Sequence, residues 1–246
     1  MRLRNGILSA GGGMRTTALA AAAILSIAAV CLAAPVRADA PGTREARRLA
    51  DARAAYLALF EVEEAKEVPG PLLEGCRCVA VFPGVVKGAL GWGGRRGSGV
   101  FTCRDSAGVW SPPAFMTLTG GSVGFQIGVE KADVVLFVMD AKSAEALADG
   151  EFTVGAKGSI AAGPVGRTAE GATDLRLDAE IYSYARSRGL FAGISLEGAH
   201  LGHDGKAIER FYGKPVAPRA LLFGSPGVET PAAARAFLEV LPARGK

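Results

Sequence analysis

Along residues 43–66 the apolar positions Leu49, Ala52, Tyr56, Leu59 and Phe60 recur at spacings of three and four, the period of one helix face. Thr43 stands at the N-cap position, and Pro69-Gly70-Pro71 closes the element because proline cannot continue a helix. From residue 77 the pattern changes to short apolar runs. Residues 77–86, 99–104 and 114–118 predict strands, with Asp105-Ser106-Ala107-Gly108 as the turn into Val109-Trp110. Residues 122–129 and 132–139 bracket Glu130-Lys131, a hairpin signature. Residues 143–149 predict a short helix ended by Gly150. Residues 152–162, 179–187 and 190–201 predict further strands, residues 204–212 a second short helix, and residues 228–241 a last helix behind a Pro/Gly-rich connector.

Glycine supplies 34 of 246 residues, about twice the usual share, and much of it alternates with larger residues inside the expected strands. Strand glycine weakens a flat sheet but permits sharp bending and close approach of backbones. The elements do not alternate strictly as strand and helix, which argues against a parallel doubly wound sheet. The expected class is α+β: a strongly bent antiparallel sheet or small β-barrel-like core with flanking helices, among them the N-terminal amphipathic helix. A transmembrane barrel would need aromatic girdles, and aromatic residues are only 7%.

The first forty residues read as a targeting segment. Met14-Arg15 precedes the apolar run of residues 18–34, and Val36-Arg37-Ala38 offers small residues where a signal peptidase cuts. The expected organisation is a secretory signal over residues 1–38, a domain over 39–213, and a connector with a C-terminal helix over 214–246. The signal holds Arg2, Arg4, Arg15 and Arg37 and no acid, so the remaining chain carries 24 basic and 24 acidic residues. A nucleic-acid-binding domain normally keeps a basic surplus, and the balanced charge argues against that class. Of the cysteines beyond the signal, Cys103 pairs with Cys76 or Cys78 in an oxidising compartment. Cys76-x-Cys78 without a second pair makes no zinc site.

Several motifs carry candidate chemistry. Gly120-Gly121-Ser122-Val123-Gly124 matches the nucleophile-elbow pattern, with Asp133 or Asp140 and His200 or His203 in the hydrolase order. The elbow requires a strand-turn-helix context, and an alternating strand follows instead. A serine hydrolase on Ser122 is therefore the alternative reading only. His200 and His203 follow a strand, and surface histidines are expected there rather than a metal site. The glycine-rich stretch from Gly91 to Gly99 fails both the dinucleotide and the phosphate-loop patterns. Its free amides beside Lys87, Arg95 and Arg96 suit a phosphate. Arg186 and Arg188 lie two apart, which on a strand gives them one face. Arg44, Arg47, Arg48 and Arg53 crowd the first half of the N-terminal helix, and Glu61, Glu63 and Glu64 its second half.

Val79-Ala80-Val81-Phe82-Pro83-Gly84-Val85-Val86-Lys87-Gly88 resembles the opening of the SYLF domain. Trp110-Ser111-Pro112-Pro113-Ala114-Phe115 is similar to its central motif, and Gly121-Ser122-Val123-Gly124-Phe125-Gln126-Ile127-Gly128 to its most recognisable segment. Ala179-Glu180-Ile181-Tyr182-Ser183-Tyr184, residues 187–198 and Phe211-Tyr212-Gly213 complete an ordered resemblance over about residues 45–213. The resemblance implies a lipid-binding module with no catalytic residue set. Its eukaryotic members bind phosphoinositides and couple membranes to actin, often beside an SH3 or FYVE domain. Their membrane contact is attributed to a basic N-terminal segment, which corresponds here to Arg44, Arg47, Arg48 and Arg53. The expectation is thus a non-enzymatic bacterial protein, periplasmic or secreted, that binds a membrane lipid or other amphiphile without a cofactor or metal. Lys87, Arg95, Arg96, Arg186 and Arg188 would orient an anionic head group. An envelope protein partner is the second alternative.

Overall fold

The computed structural model describes residues 42–60, 68–90, 92–123, 128–156, 158–164, 178–188, 190–224 and 228–242. The expected signal, the glutamates at 61, 63 and 64, and the segment Gly124-Phe125-Gln126-Ile127 lie outside the described residues. The strands are β1 (Cys78–Leu90), β2 (Trp92–Cys103), β3 (Ala114–Val123), β4 (Gly128–Val138), β5 (Glu151–Thr153), β6 (Ile160–Ala162), β7 (Ile181–Ser187), β8 (Leu190–Gly193) and β9 (Ala199–His203). The helices are α1 (Thr43–Leu57), α2 (Gly70–Gly75), α3 (Ala141–Ala148), α4 (Gly205–Tyr212), α5 (Pro218–Leu222) and α6 (Ala232–Leu238).

The strands form one sheet in the order β5-β9-β3-β2-β1-β4-β7-β6, with β8 also on β7. It curls into a half-barrel. Every pairing is antiparallel except β6 with β7. The curl has a local cause. The β1 ladders shift register around Pro83-Gly84, where Gly84 has φ 58, and a bulge of this kind bends its strand. Opposite it, a Cβ on Gly97 would lie 2.7 Å from Val85 Cγ2, and one on Gly99 would lie 2.3 Å from the Val81 carbonyl oxygen. Glycine at 97 and 99 therefore lets β2 close onto the bulge.

This corrects the expectation of a glycine loop with free amides. Residues 92–99 are strand, and their backbone groups belong to the ladders with β1 and β3. The expected turn at Glu130-Lys131 is likewise the interior of β4, where Glu130 pairs with Lys87 and Lys131 with Val86. The N-cap of α1 is Gly42, with φ 85, rather than Thr43. The turn at 105–108 is as expected: Asp105 Oδ1 accepts from the amides of Ala107 and Val109.

Strand alternation gives the sheet two faces. Phe137, Tyr184 and Arg186 point to the α1 side, where Tyr56 meets Phe137 ring to edge at 6.4 Å. Leu49, Ala52, Ala55 and Tyr56 are the buried stripe of α1, and an ion pair with a buried carboxylate fastens it: Arg210 of α4 donates to Glu45 Oε1 at 2.7 and 2.9 Å. Phe82, Phe101, Met116, Leu118 and Leu136, all fully buried, fall on the other, concave face. The C-terminal segment packs on this body, with Ala234 and Phe237 buried and the Trp110 indole N–H donating to the Pro242 carbonyl at 3.1 Å.

Candidate functional site

The concave face is filled at one end by aromatic and aliphatic side chains and open at the other. The open end is a cavity of about 490 Å³, within the size range of small-molecule sites. Its walls are apolar: Val85 from β1, Ala132 and Val134 from β4, Ala185 from β7, Ala192 from β8 and Ile194 beyond it. Three of its polar groups form one row. Arg95, Lys87 and Glu130 are consecutive cross-strand partners on β2, β1 and β4, and all three line the cavity.

Arg95 is placed by its neighbours. It runs over Gly120, whose added Cβ would lie 3.2 Å from Arg95 Cγ, and its Nη1 reaches the Ser195 carbonyl at 3.5 Å. Arg95 Nε is buried without a hydrogen-bond partner. Glu130 Oε1 accepts from the Ser187 hydroxyl at 2.8 Å. Arg188 completes the cationic rim from the β7–β8 turn. Among the described residues, none of Lys87, Arg95 and Arg188 belongs to an ion pair.

The pairing of Arg186 with Arg188 on one face does not occur. Arg186 points to the α1 side, where it lines a recess with Asp51 and Asp133. Arg188 lines the cavity. The strand ends between them, and Arg188 has φ 50, a backbone region rare for non-glycine residues. That turn breaks the alternation on which the shared face depended. Asp133 Oδ1 is held by the Gly84 amide at 2.8 Å, and Arg186 Nε is buried with no partner.

Arg96, one residue past Arg95, also points to the α1 side. With Arg44, Arg47, Arg48 and Asp51 it lines a shallow cleft of about 360 Å³ beside Pro83-Gly84. The four helix arginines are not equivalent. Arg48 pairs with Asp204 at 3.3 Å and stacks 5.4 Å over Phe115. Arg53 Nε donates to the Ala236 carbonyl at 3.1 Å. Both therefore help dock α1, while Arg44 and Arg47 are exposed.

The other candidates are structural. Ser122 lies inside β3, opposite Gly93, and β4 follows it, so no helix stands behind it to make an elbow. His200 Nδ1 lies 3.3 Å from Thr153 Oγ1, and His203 Nε2 lies 2.8 Å from the Leu147 carbonyl. Cys78 is bonded to Cys103, its direct partner across β1 and β2. Cys76 is free and buried, and burial pushes its thiol up to about 11. No group of ligands for a metal occurs among the described residues. Among those residues no helix is long and apolar enough to cross a membrane.

The likeness to one family model begins within β3 and takes in β4 to β9. A family model described as "Ysc84: Las17-binding protein actin regulator" matches residues 119–244. The chain is 36% identical over 177 residues to "SH3 domain-containing YSC84-like protein 1" of Rattus norvegicus, covering 72% of this chain and 51% of that protein. It is 32% identical over 180 residues to "Protein YSC84" of Saccharomyces cerevisiae, covering 72% and 38%. It is 30% identical over 204 residues to "LAS seventeen-binding protein 3" of the same yeast, covering 81% and 44%. The chain thus spans about half the length, or less, of these curated relatives.

Proposed function

Because the chain belongs to the Ysc84 family, whose SYLF domain its motifs resemble, we propose that it binds a lipid or another amphiphile at the cell envelope, without catalysing a reaction. One observation carries the reading: the open end of the half-barrel joins an apolar cavity to the cations Lys87, Arg95 and Arg188. Each methylene moved from water into such a cavity contributes about 0.8 kcal/mol. An acyl chain is therefore the ligand class that the walls favour.

The row favours an anionic head. Lys87 and Arg95 face each other directly, and like charges so placed disfavour the empty site. Glu130 offsets only one of them. A carboxylate or phosphate at the mouth would satisfy both cations. The envelope placement rests on the signal-like segment of residues 14–38 and on the Cys78–Cys103 bond, which suits an oxidising compartment.

Mass spectrometry of organic extracts from the native, detergent-free protein tests this directly. We expect a stoichiometric single- or double-chain amphiphile. Extracts without lipid, together with no uptake of added fatty acid or phospholipid, would overturn the reading and leave a protein-binding scaffold.

A further inference from the structure

At the cavity the charges run plus, plus, minus. Arg95, Lys87 and Glu130 occupy one row across β2, β1 and β4, each directly opposite the next, and all three line the cavity. Directly opposed side chains on neighbouring antiparallel strands stand about 4.5–5.5 Å apart at Cβ. The acid therefore stands at the end of the row, one strand beyond the two cations. Lys87 and Glu130 are exposed, and Arg95 is half-buried.

A plain structural use for that acid would be to pair with Lys87. It does not: among the described residues no ion pair joins Lys87 to Glu130, although they stand face to face. The carboxylate is engaged with β7 instead. Its Oε1 accepts from the Ser187 hydroxyl at 2.8 Å, and that hydroxyl also lies 3.2 Å from the Lys131 carbonyl. No described residue donates to its second oxygen.

An anion seated between Arg95 and Lys87 thus lies beside a carboxylate with an acceptor to spare. A head group that carried negative charge alone would meet repulsion there, and like charges brought together at a binding site suppress the wrong partner. A head group with a primary ammonium a short spacer from its anion would meet attraction at both points. Its N–H groups would donate to Glu130, and charge-assisted hydrogen bonds of this kind are the strong ones. Arg188 also lines the cavity, so cations outnumber the acid. The anion is the requirement, and the ammonium sets the preference.

We propose that the cavity selects a zwitterionic amphiphile, whose head joins an anionic group to a primary ammonium. Arg95 and Lys87 hold the anion, and Glu130 holds the ammonium. This selectivity rests on the proposed function, whose ligand it specifies. It concerns one molecule inside the cavity, and not contact of the domain with a membrane.

The test is calorimetric titration of the delipidated protein with monomeric lysophospholipids that share one acyl chain and bear ethanolamine, glycerol or choline heads. The ethanolamine form is expected to bind about tenfold more tightly than the glycerol form, the scale of one charge-assisted hydrogen bond. The choline form keeps the positive charge without an N–H and should bind more weakly than the ethanolamine form. Glu130→Gln should erase the preference for ethanolamine and leave glycerol binding as tight or tighter, while Lys87→Gln should weaken both alike. Equal affinity of the unaltered protein for the ethanolamine and glycerol forms would overturn the selectivity and leave the proposed function standing. So would a preference that survives Glu130→Gln, or a loss of all three affinities together in that variant, which would mark Glu130 as structural. No binding of any form would overturn the proposed function itself, and the selectivity with it.

Discussion

Lys87 and Arg95 stand directly opposite each other on neighbouring antiparallel strands, on the face that lines the cavity. Like charges in that position destabilise a sheet by about 0.2–1 kcal/mol. Arg95→Gln should therefore raise the melting temperature of the ligand-free protein by about 1–3 °C. The same variant should bind an anionic amphiphile more weakly and a neutral one as before. Melting curves with and without each ligand separate the two effects.

Gly99 is a packing requirement of the curl. A Cβ there would lie 2.3 Å from a backbone oxygen and 2.5 Å from the Phe82 ring, and backbone cannot yield as a flexible side chain can. Gly99→Ala should cost about 2–3 kcal/mol, the scale of an overpacked core. Gly121→Ala, with nothing within 4 Å of its added Cβ, is the control. Urea unfolding of both variants checks this.

The Glu45–Arg210 pair holds α1 to α4. Glu45 is 1% exposed and Arg210 42%, so removing the arginine leaves a buried carboxylate without its strongest partner. Arg210→Ala should cost about 2 kcal/mol, with the half-exposed guanidinium keeping the loss below that of a fully buried pair. Arg235→Ala, on the exposed side of α6, should be neutral in the same unfolding assay.

His203 sets an acid limit. Burial lowers its pKa below the ordinary 6.5; Nε2 donates to the Leu147 carbonyl, and Nδ1 is buried without a hydrogen-bond partner. The folded value lies below the unfolded one, so the unfolded chain takes up the proton first. The stability from neutral His203 is complete above about pH 6.5 and is lost as pH falls below it. Melting temperature should fall from pH 7 to pH 5, and His203→Gln should flatten that slope.

The sequence was most legible where a side chain announces its own geometry. Asp105 two residues before Ala107, Gly150 after a helix, and apolar residues in the β1 and β4 runs all predicted their elements. It failed where glycine or the rim of the sheet removed the signal. Residues 92–99 have few side chains to alternate, so a strand there looked like a loop. Glu130 and Lys131 are polar because β4 extends past the core to the rim, not because the chain turns. The site was half legible. Of the five cations expected to act together, Lys87, Arg95 and Arg188 line one cavity. Arg96 and Arg186 fall on the opposite face by strand parity. Glu45 gave no sign of burial, because its partner Arg210 lies far along the chain.

The central claim is that the half-barrel cavity holds an amphiphile. Titration of the delipidated protein with a fluorescent fatty acid, compared between the unaltered chain and Ala192→Phe, tests it most directly. Ala192 lines the cavity and is itself exposed, so a larger side chain there fills the space without entering the core. The account predicts saturable one-to-one binding that Ala192→Phe weakens at least tenfold, with melting temperature preserved. Equal binding by both proteins would contradict it.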